Sequence, residues 1–127
     1  MKVYTDGAAR GNPGPAAIGF SVFNGAEWGL EKTKYIGTAT NNEAEYKALI
    51  FALENTEGDL EVYSDSQLMI KQLTGEYKTK NARIKELREK VKELAKNRNI
   101  EYNLVPRENK GVSRVDKRIN MELNLNT

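Results

Sequence analysis

Three carboxylates, Asp6, Glu45 and Asp65, occupy three local contexts that would each place them where a divalent cation can be held. Asp6 follows the stretch Val3-Tyr4-Thr5 and precedes the turn Gly11-Asn12-Pro13-Gly14, so it is expected at the end of a short strand. Glu45 falls in the opening turns of an expected helix, on the same face as Ala48, Leu49 and Ala52. Asp65 closes a second expected strand, Leu60 to Ser64. Carboxylates at strand ends and on an inward helix stripe are costly unless something positive sits between them. An oxygen-only cation site suits phosphodiester hydrolysis, which needs a water made nucleophilic near neutral pH and a stabilised leaving oxygen. Two divalent ions roughly 3.5–4 Å apart supply both. Taken singly, each residue also has a plainer role. Glu45 suits a helix N-terminus, Asp65 could cap the helix that follows it, and Asp6 could simply start a turn.

The composition narrows the chemistry. The chain has no cysteine, which excludes thiolate metal sites and disulfides and fits a reducing compartment. It has no histidine either, so catalysis falls to carboxylates, lysines, hydroxyls or metal-bound water, and a zinc site is disfavoured. At 127 residues, 39% hydrophobic and 30% charged, the chain reads as one soluble domain spanning 1–127. No apolar run approaches the roughly 18 residues of a membrane span. The N-terminus lacks the pattern of a secretory leader, so a cytoplasmic location is expected. The net charge is only +2, but Arg107, Lys110, Arg114, Lys117 and Arg118 stand against Glu108 and Asp116 in one short stretch. Such a patch suits phosphates, and equally suits a solvated surface.

Several elements must position these residues. Lys2–Thr5 and Ala17–Phe23 read as strands, and Asn24-Gly25 marks a hairpin turn into a third, Ala26–Gly37. Thr40 with Glu43 three residues on is a capping-box signature for a helix running to about Glu54. Leu60–Ser64 is a strand and Ser66–Leu73 a short helix. Asn81–Asn97 is a longer helix with Ile84, Leu87, Val91 and Leu94 on its inner stripe. Ile100–Val105 alternates as a half-buried strand, and Val112 to about Leu123 is a terminal helix. The order predicts an α/β fold whose mixed sheet is covered by helices, with reactive groups gathering at strand ends.

Three stretches carry a resemblance over essentially the whole chain: Tyr4-Thr5-Asp6-Gly7-Ala8-Ala9-Arg10-Gly11-Asn12-Pro13-Gly14-Pro15-Ala16, Thr40-Asn41-Asn42-Glu43-Ala44-Glu45-Tyr46, and Tyr63-Ser64-Asp65-Ser66-Gln67. In this order, and each in its expected local structure, they resemble the type 1 ribonuclease H family. The resemblance implies a ribonuclease H-like fold, a five-stranded mixed sheet of three antiparallel strands then two parallel ones, flanked by helices. It implies an endonuclease that hydrolyses the RNA strand of RNA–DNA hybrids with two Mg²⁺ or Mn²⁺ ions, leaving 5′-phosphate and 3′-hydroxyl ends, and acting as a monomer. The family's metal-binding carboxylates map onto Asp6, Glu45 and Asp65. A fourth maps onto Asp116, where Val115-Asp116-Lys117-Arg118-Ile119-Asn120 is the nearest match to the family pattern. Asn12, Asn42 and Gln67 match positions that touch the minor groove, where 2′-hydroxyls of an RNA strand are read. Asn12 equally suits a turn and Asn42 a helix start. Backbone near Gly7 and Gly11 can approach the substrate closely for lack of side chains, and Ser66, beside Gln67, completes the expected substrate-binding set.

The chain departs from the family in three places. The gap from Asn109 to Asp116 is long, and the loop histidine of many members is missing, so either that role is dispensable or a neighbour such as Glu108 or Lys110 substitutes. The lysine-rich helical handle of some members is also missing, so Lys78, Lys80 and Arg83 offer at most a smaller phosphate contact. No added hybrid-binding domain is expected before Met1. Two rival readings stay open: a related nuclease that also cuts double-stranded RNA, and a hybrid-binding module without catalysis.

Overall fold

The computed structural model describes residues 1–127. Three long strands come first: β1 (Lys2–Ala9), β2 (Gly14–Phe23) and β3 (Trp28–Ala39). Then follow α1 (Asn41–Glu54), β4 (Leu60–Ser64), α2 (Gln67–Leu73), α3 (Ala82–Ala95), β5 (Ile100–Leu104) and α4 (Lys110–Asn126). The sheet order is β3-β2-β1-β4-β5; β1–β2 and β2–β3 pair antiparallel, and β1–β4 and β4–β5 pair parallel. This is the five-stranded mixed sheet that the sequence leads one to expect.

Local chemistry sets the boundaries. The Asn24-Gly25 turn closes as expected, with Asn24 Oδ1 accepting from the backbone of Ala26 and Glu27 at 2.9 Å each. The capping box of α1 is complete. Thr40 Oγ1 accepts from the Glu43 amide and Glu43 Oε1 accepts from the Thr40 amide.

β2 shows how the two sheet faces divide, because its alternate side chains point opposite ways. Ala16 and Ile18 pack against Ala44 and Ala48 of α1, whereas Ala17 packs against Val115, Ile119 and Leu123 of α4. The main core lies on the α1 side, where Val3, Phe20 and Val62 meet Tyr46, Leu49, Met69, Ile84 and Val91. Burying each large apolar side chain of this kind is worth about 1.5–3 kcal/mol. Within that core the Tyr46 hydroxyl donates to Gln72 Oε1 at 2.7 Å, tying α1 to α2.

Two of the expected boundaries that move bear on the site. β1 runs to Ala9 rather than stopping at Thr5, because its antiparallel pairing with β2 continues to Ala9↔Ala16. Its parallel pairing with β4 ends at Tyr4↔Tyr63. Asp6 therefore sits inside a strand, at the point where β1 has outrun its other neighbour. The last helix starts at Lys110 rather than Val112, since Asn109 Oδ1 caps it by accepting from the Gly111 and Val112 amides.

Candidate active site

Where β1 extends past β4, its backbone on that edge has no strand partner. The freed Gly7 amide donates instead to Glu45 Oε1 at 3.0 Å, and the Ala9 amide to Asn41 Oδ1 at 2.9 Å. Both acceptors lie in the first turns of α1, so the missing strand is replaced by side chains of the helix. The approach requires glycine at position 7, because a Cβ there would run into the Ala44 carbonyl. This contact carries Glu45 to Asp6.

Asp65 follows β4 directly and is not the cap of α2. That role belongs to Ser66, whose Oγ accepts from the Met69 amide at 3.3 Å, while Ser64 Oγ accepts from the Ser66 amide at 3.0 Å. The Asp65 carboxylate is left to face Asp6 and Glu45, and one oxygen from each of the three lies within 4.8 Å of the others. Asp116, in the second turn of α4, lies outside that trio but lines the same cleft of about 640 Å³. Its Oδ1 accepts from Asn120 Nδ2 at 3.2 Å, one helical turn on.

No lysine or arginine forms an ion pair with any of the four. Asp6 is only 6% exposed. Its burial, followed by the charges of Asp65 and Asp116 and a hydrogen bond shared with Asp116, pushes its pKa up to about 8, against the pull of the Gly7 amide. Burial, with the charges of Asp6 and Asp65, likewise holds Glu45 well above the usual carboxylate range. Burial is also the main cause of the rise at Asp65, which Arg107 opposes. The donor set is therefore all oxygen, convergent and short of positive charge, and it fits a hard divalent cation.

The other expected residues divide. Of Gly7, Gly11, Asn12, Asn42, Ser66 and Gln67, Gly7 alone lines the cleft. Gly11 takes a φ of 102° in the β1–β2 turn. Asn12 Oδ1 accepts from the Asn41 amide at 2.9 Å, which ties that turn to the start of α1. Asn42 Oδ1 is buried without a partner, Ser66 is engaged as a cap, and Gln67 Nε2 donates to the Tyr77 hydroxyl at 3.2 Å. Of the two candidate substitutes for histidine, Glu108 lines the cleft and Lys110 belongs to a neighbouring depression. Arg83 is engaged by Glu43 and Glu86. Sequence reasoning missed Asn41, Arg107 and Ser113 as parts of the cleft wall. Arg107 is visible in the sequence only as a member of a basic run, and Asn41 only as the neighbour of Asn42.

Known proteins give a picture consistent with this geometry. The RNase H family profile matches residues 1–117. A ribonuclease HI of Halobacterium salinarum is 47% identical over 100 residues, covering 74% of this chain and 50% of that protein's length. The chain thus spans half the length of that curated relative. The crystal structure of RNase H1 from the halophilic archaeon Halobacterium salinarum NRC-1 superposes with a TM-score of 0.91 at 40% identity, covering 97% of this chain and 96% of that one. The LC11-RNase H1 structure, solved in complex with an RNA/DNA hybrid, superposes with a TM-score of 0.90 at 38% identity, covering 98% of this chain and 96% of that one.

Proposed function

Since the chain belongs to the ribonuclease H family, we propose that it is an endonuclease hydrolysing the RNA strand of RNA–DNA hybrids, with Asp6, Glu45, Asp65 and Asp116 as its catalytic carboxylates. One observation carries this reading: four carboxylates from β1, α1, the end of β4 and α4 converge on one cleft without a lysine or arginine partner. Members of the family use divalent metal ions, and we take the cofactor here to be two Mg²⁺ or Mn²⁺ ions held by these four residues. Bound there, such ions would supply a water made nucleophilic near neutral pH and a stabilising charge for the leaving oxygen. The products carry 5′-phosphate and 3′-hydroxyl ends.

The protein's own part is to hold its carboxylates still and to orient the duplex. Glu45 is fixed by the Gly7 amide and Asp116 by Asn120. Gly7, Gly11, Asn12, Asn42, Ser66 and Gln67 contact the duplex beside the cleft, where 2′-hydroxyls distinguish RNA from DNA. Asn12 is suited to such a contact, because the Asn41 amide holds its Oδ1 and leaves its amide nitrogen free to donate outward. Glu108, on the cleft wall, occupies the place where a proton could be relayed at the rim. No helix of the chain is long and apolar enough to cross a membrane, and a cytoplasmic monomer completes the reading.

The test is cleavage of an end-labelled RNA–DNA hybrid in Mg²⁺, in Mn²⁺ and in EDTA, beside duplex RNA under the same conditions. Cleavage of the RNA strand in either metal, abolished by EDTA, is the expected result. A protein that binds the hybrid but never cuts it would be a binding module instead, and equal cutting of duplex RNA would widen the substrate.

A further inference from the structure

Four cations on α4 fall on one helical stripe: Lys110, Arg114, Lys117 and Arg118 have i, i+4, i+7 and i+8 spacing. The stripe faces away from Val112, Val115, Ile119 and Leu123, the apolar side chains that α4 buries. It borders a depression whose remaining walls are Glu108 and Ser113, and those two residues also line the carboxylate cleft. The two concavities are therefore neighbours that share a rim.

Two of the cations are held in place. Glu31, on β3 and only 12% exposed at its side chain, accepts from Arg114 Nε and Nη2 and forms an ion pair with Arg118 Nη1 at 3.3 Å. Ser21 Oγ donates to the same carboxylate at 2.7 Å. The Arg114 guanidinium lies 4.7 Å over the Trp28 ring. A guanidinium fixed on one side keeps its other N–H groups directed outward, which lowers the entropy lost when an oxyanion arrives. Lys110 and Lys117 are exposed and unpaired, one near each end of the stripe.

Charge decides what the stripe would receive. The cleft has five acidic residues in its walls and Arg107 as its one cation, so a phosphate chain approaching it alone meets repulsion. The adjoining depression has four cations against the single carboxylate Glu108. The outer face of α3 does not offer the same: its shallow groove sets Lys85 and Lys90 against Glu86, Glu89 and Glu93. The geometry points to the outer face of α4 as a second phosphate-binding track, which holds the backbone of the nucleic-acid duplex beyond the bond presented to the cleft. This inference rests on the proposed hybrid substrate and names the surface that retains it.

The test is hybrid affinity as a function of salt, with Ca²⁺ replacing Mg²⁺, for wild type, Lys110→Gln/Lys117→Gln and the control Lys85→Gln/Lys90→Gln. Both double variants remove the same charge from exposed helix positions. Each phosphate contact contributes roughly 0.7–0.9 to the slope of log affinity against log salt. The α4 variant should therefore flatten the slope by about 1.5 and bind several-fold more weakly near 0.1 M salt. The control should keep the wild-type slope. An α4 variant with the wild-type slope, or a control that flattens equally, overturns the track. Wild type that binds the hybrid in this assay but does not cut it in Mg²⁺ overturns the hydrolase reading alone. Wild type that does not bind the hybrid overturns both.

Discussion

Replacing Asp6 by asparagine should make the metal-free protein more stable while removing its activity. Asp6 ionises near pH 3.8 in an unfolded chain and near 8 in the folded one, chiefly because it is buried and faces Asp65 and Asp116. Between those values the folded state keeps a proton that the unfolded state has released. Stability is therefore lost as pH rises from about 4 to about 8, and the penalty is absent below about 4. The shift is roughly four units, which at about 1.4 kcal/mol each sets a ceiling of about 6 kcal/mol. Asp6 and Glu45 titrate together, Glu45 being raised by the charge of Asp6, so relieving one member recovers only part of that, on the order of 2 kcal/mol.

Asparagine has no proton to lose, and its amide can donate to the Asp116 carboxylate that Asp6 faces. For a chain of this length about 2 kcal/mol corresponds to roughly 6–10 °C in Tm. The assay is thermal unfolding by circular dichroism in EDTA at pH 3.5 and pH 8, with and without Mg²⁺. Asp6→Asn should match wild type at the lower pH and melt roughly 6–10 °C higher at the upper one. Added Mg²⁺ should stabilise wild type more than the variant, since a cation bound only to the folded state contributes RT ln(1 + [L]/Kd). A variant that melts at or below wild type at pH 8 in EDTA would refute the reasoning, as would an advantage that does not change with pH.

Asp65→Asn should keep its Tm within a few degrees and lose turnover altogether, because Ser66 rather than Asp65 caps α2; near-wild-type hydrolysis by the folded variant removes Asp65 from the chemistry. Asp116→Asn should slow single-turnover cleavage in Mg²⁺, with partial rescue by Mn²⁺ and unchanged affinity in Ca²⁺; an unchanged rate leaves a three-carboxylate site. Gly7→Ala should cost about 2–3 kcal/mol through overpacking against the Ala44 carbonyl and should also slow cleavage by displacing Glu45, which urea unfolding and turnover measure together. Glu31 is held at about 2 instead of 4.5, first by the Arg114 hydrogen bond and then by Ser21 and the Arg118 charge. With both guanidiniums partly screened by solvent, Glu31→Gln should cost about 1–2 kcal/mol above pH 4.5, and the loss should shrink as pH falls toward 2. A pH-independent cost would mean that packing rather than charge is at work.

What can be read in advance follows a physical division between local and distant interactions. The capping box at Thr40, the Asn24-Gly25 turn and the Leu60–Ser64 strand each depend on residues a few positions apart, and each lies where expected. Asp6 reads as a strand end because Gly7 and the turn at Gly11 look locally like breaks. Its true setting depends on β2 continuing alongside β1 while β4 stops, a difference between two partners that β1 itself does not encode. The placement of Asp65 turns on a local competition: Ser66 takes the cap, so the stronger anion is left for the cleft. Asp116 follows a segment whose spacing after Asn109 reads as irregular, yet Asn109 simply starts the helix earlier and turns Asp116 inward. The Glu31–Arg114 pair joins residues 83 positions apart, and no pattern in either segment announces it. The basic run from Arg107 to Arg118 is legible as charge but not as direction. Folding sorts it, sending Arg107 to the wall of the acid cleft and the other four cations to the outer side of α4, where charge of the same sign can attract the chain that the cleft repels.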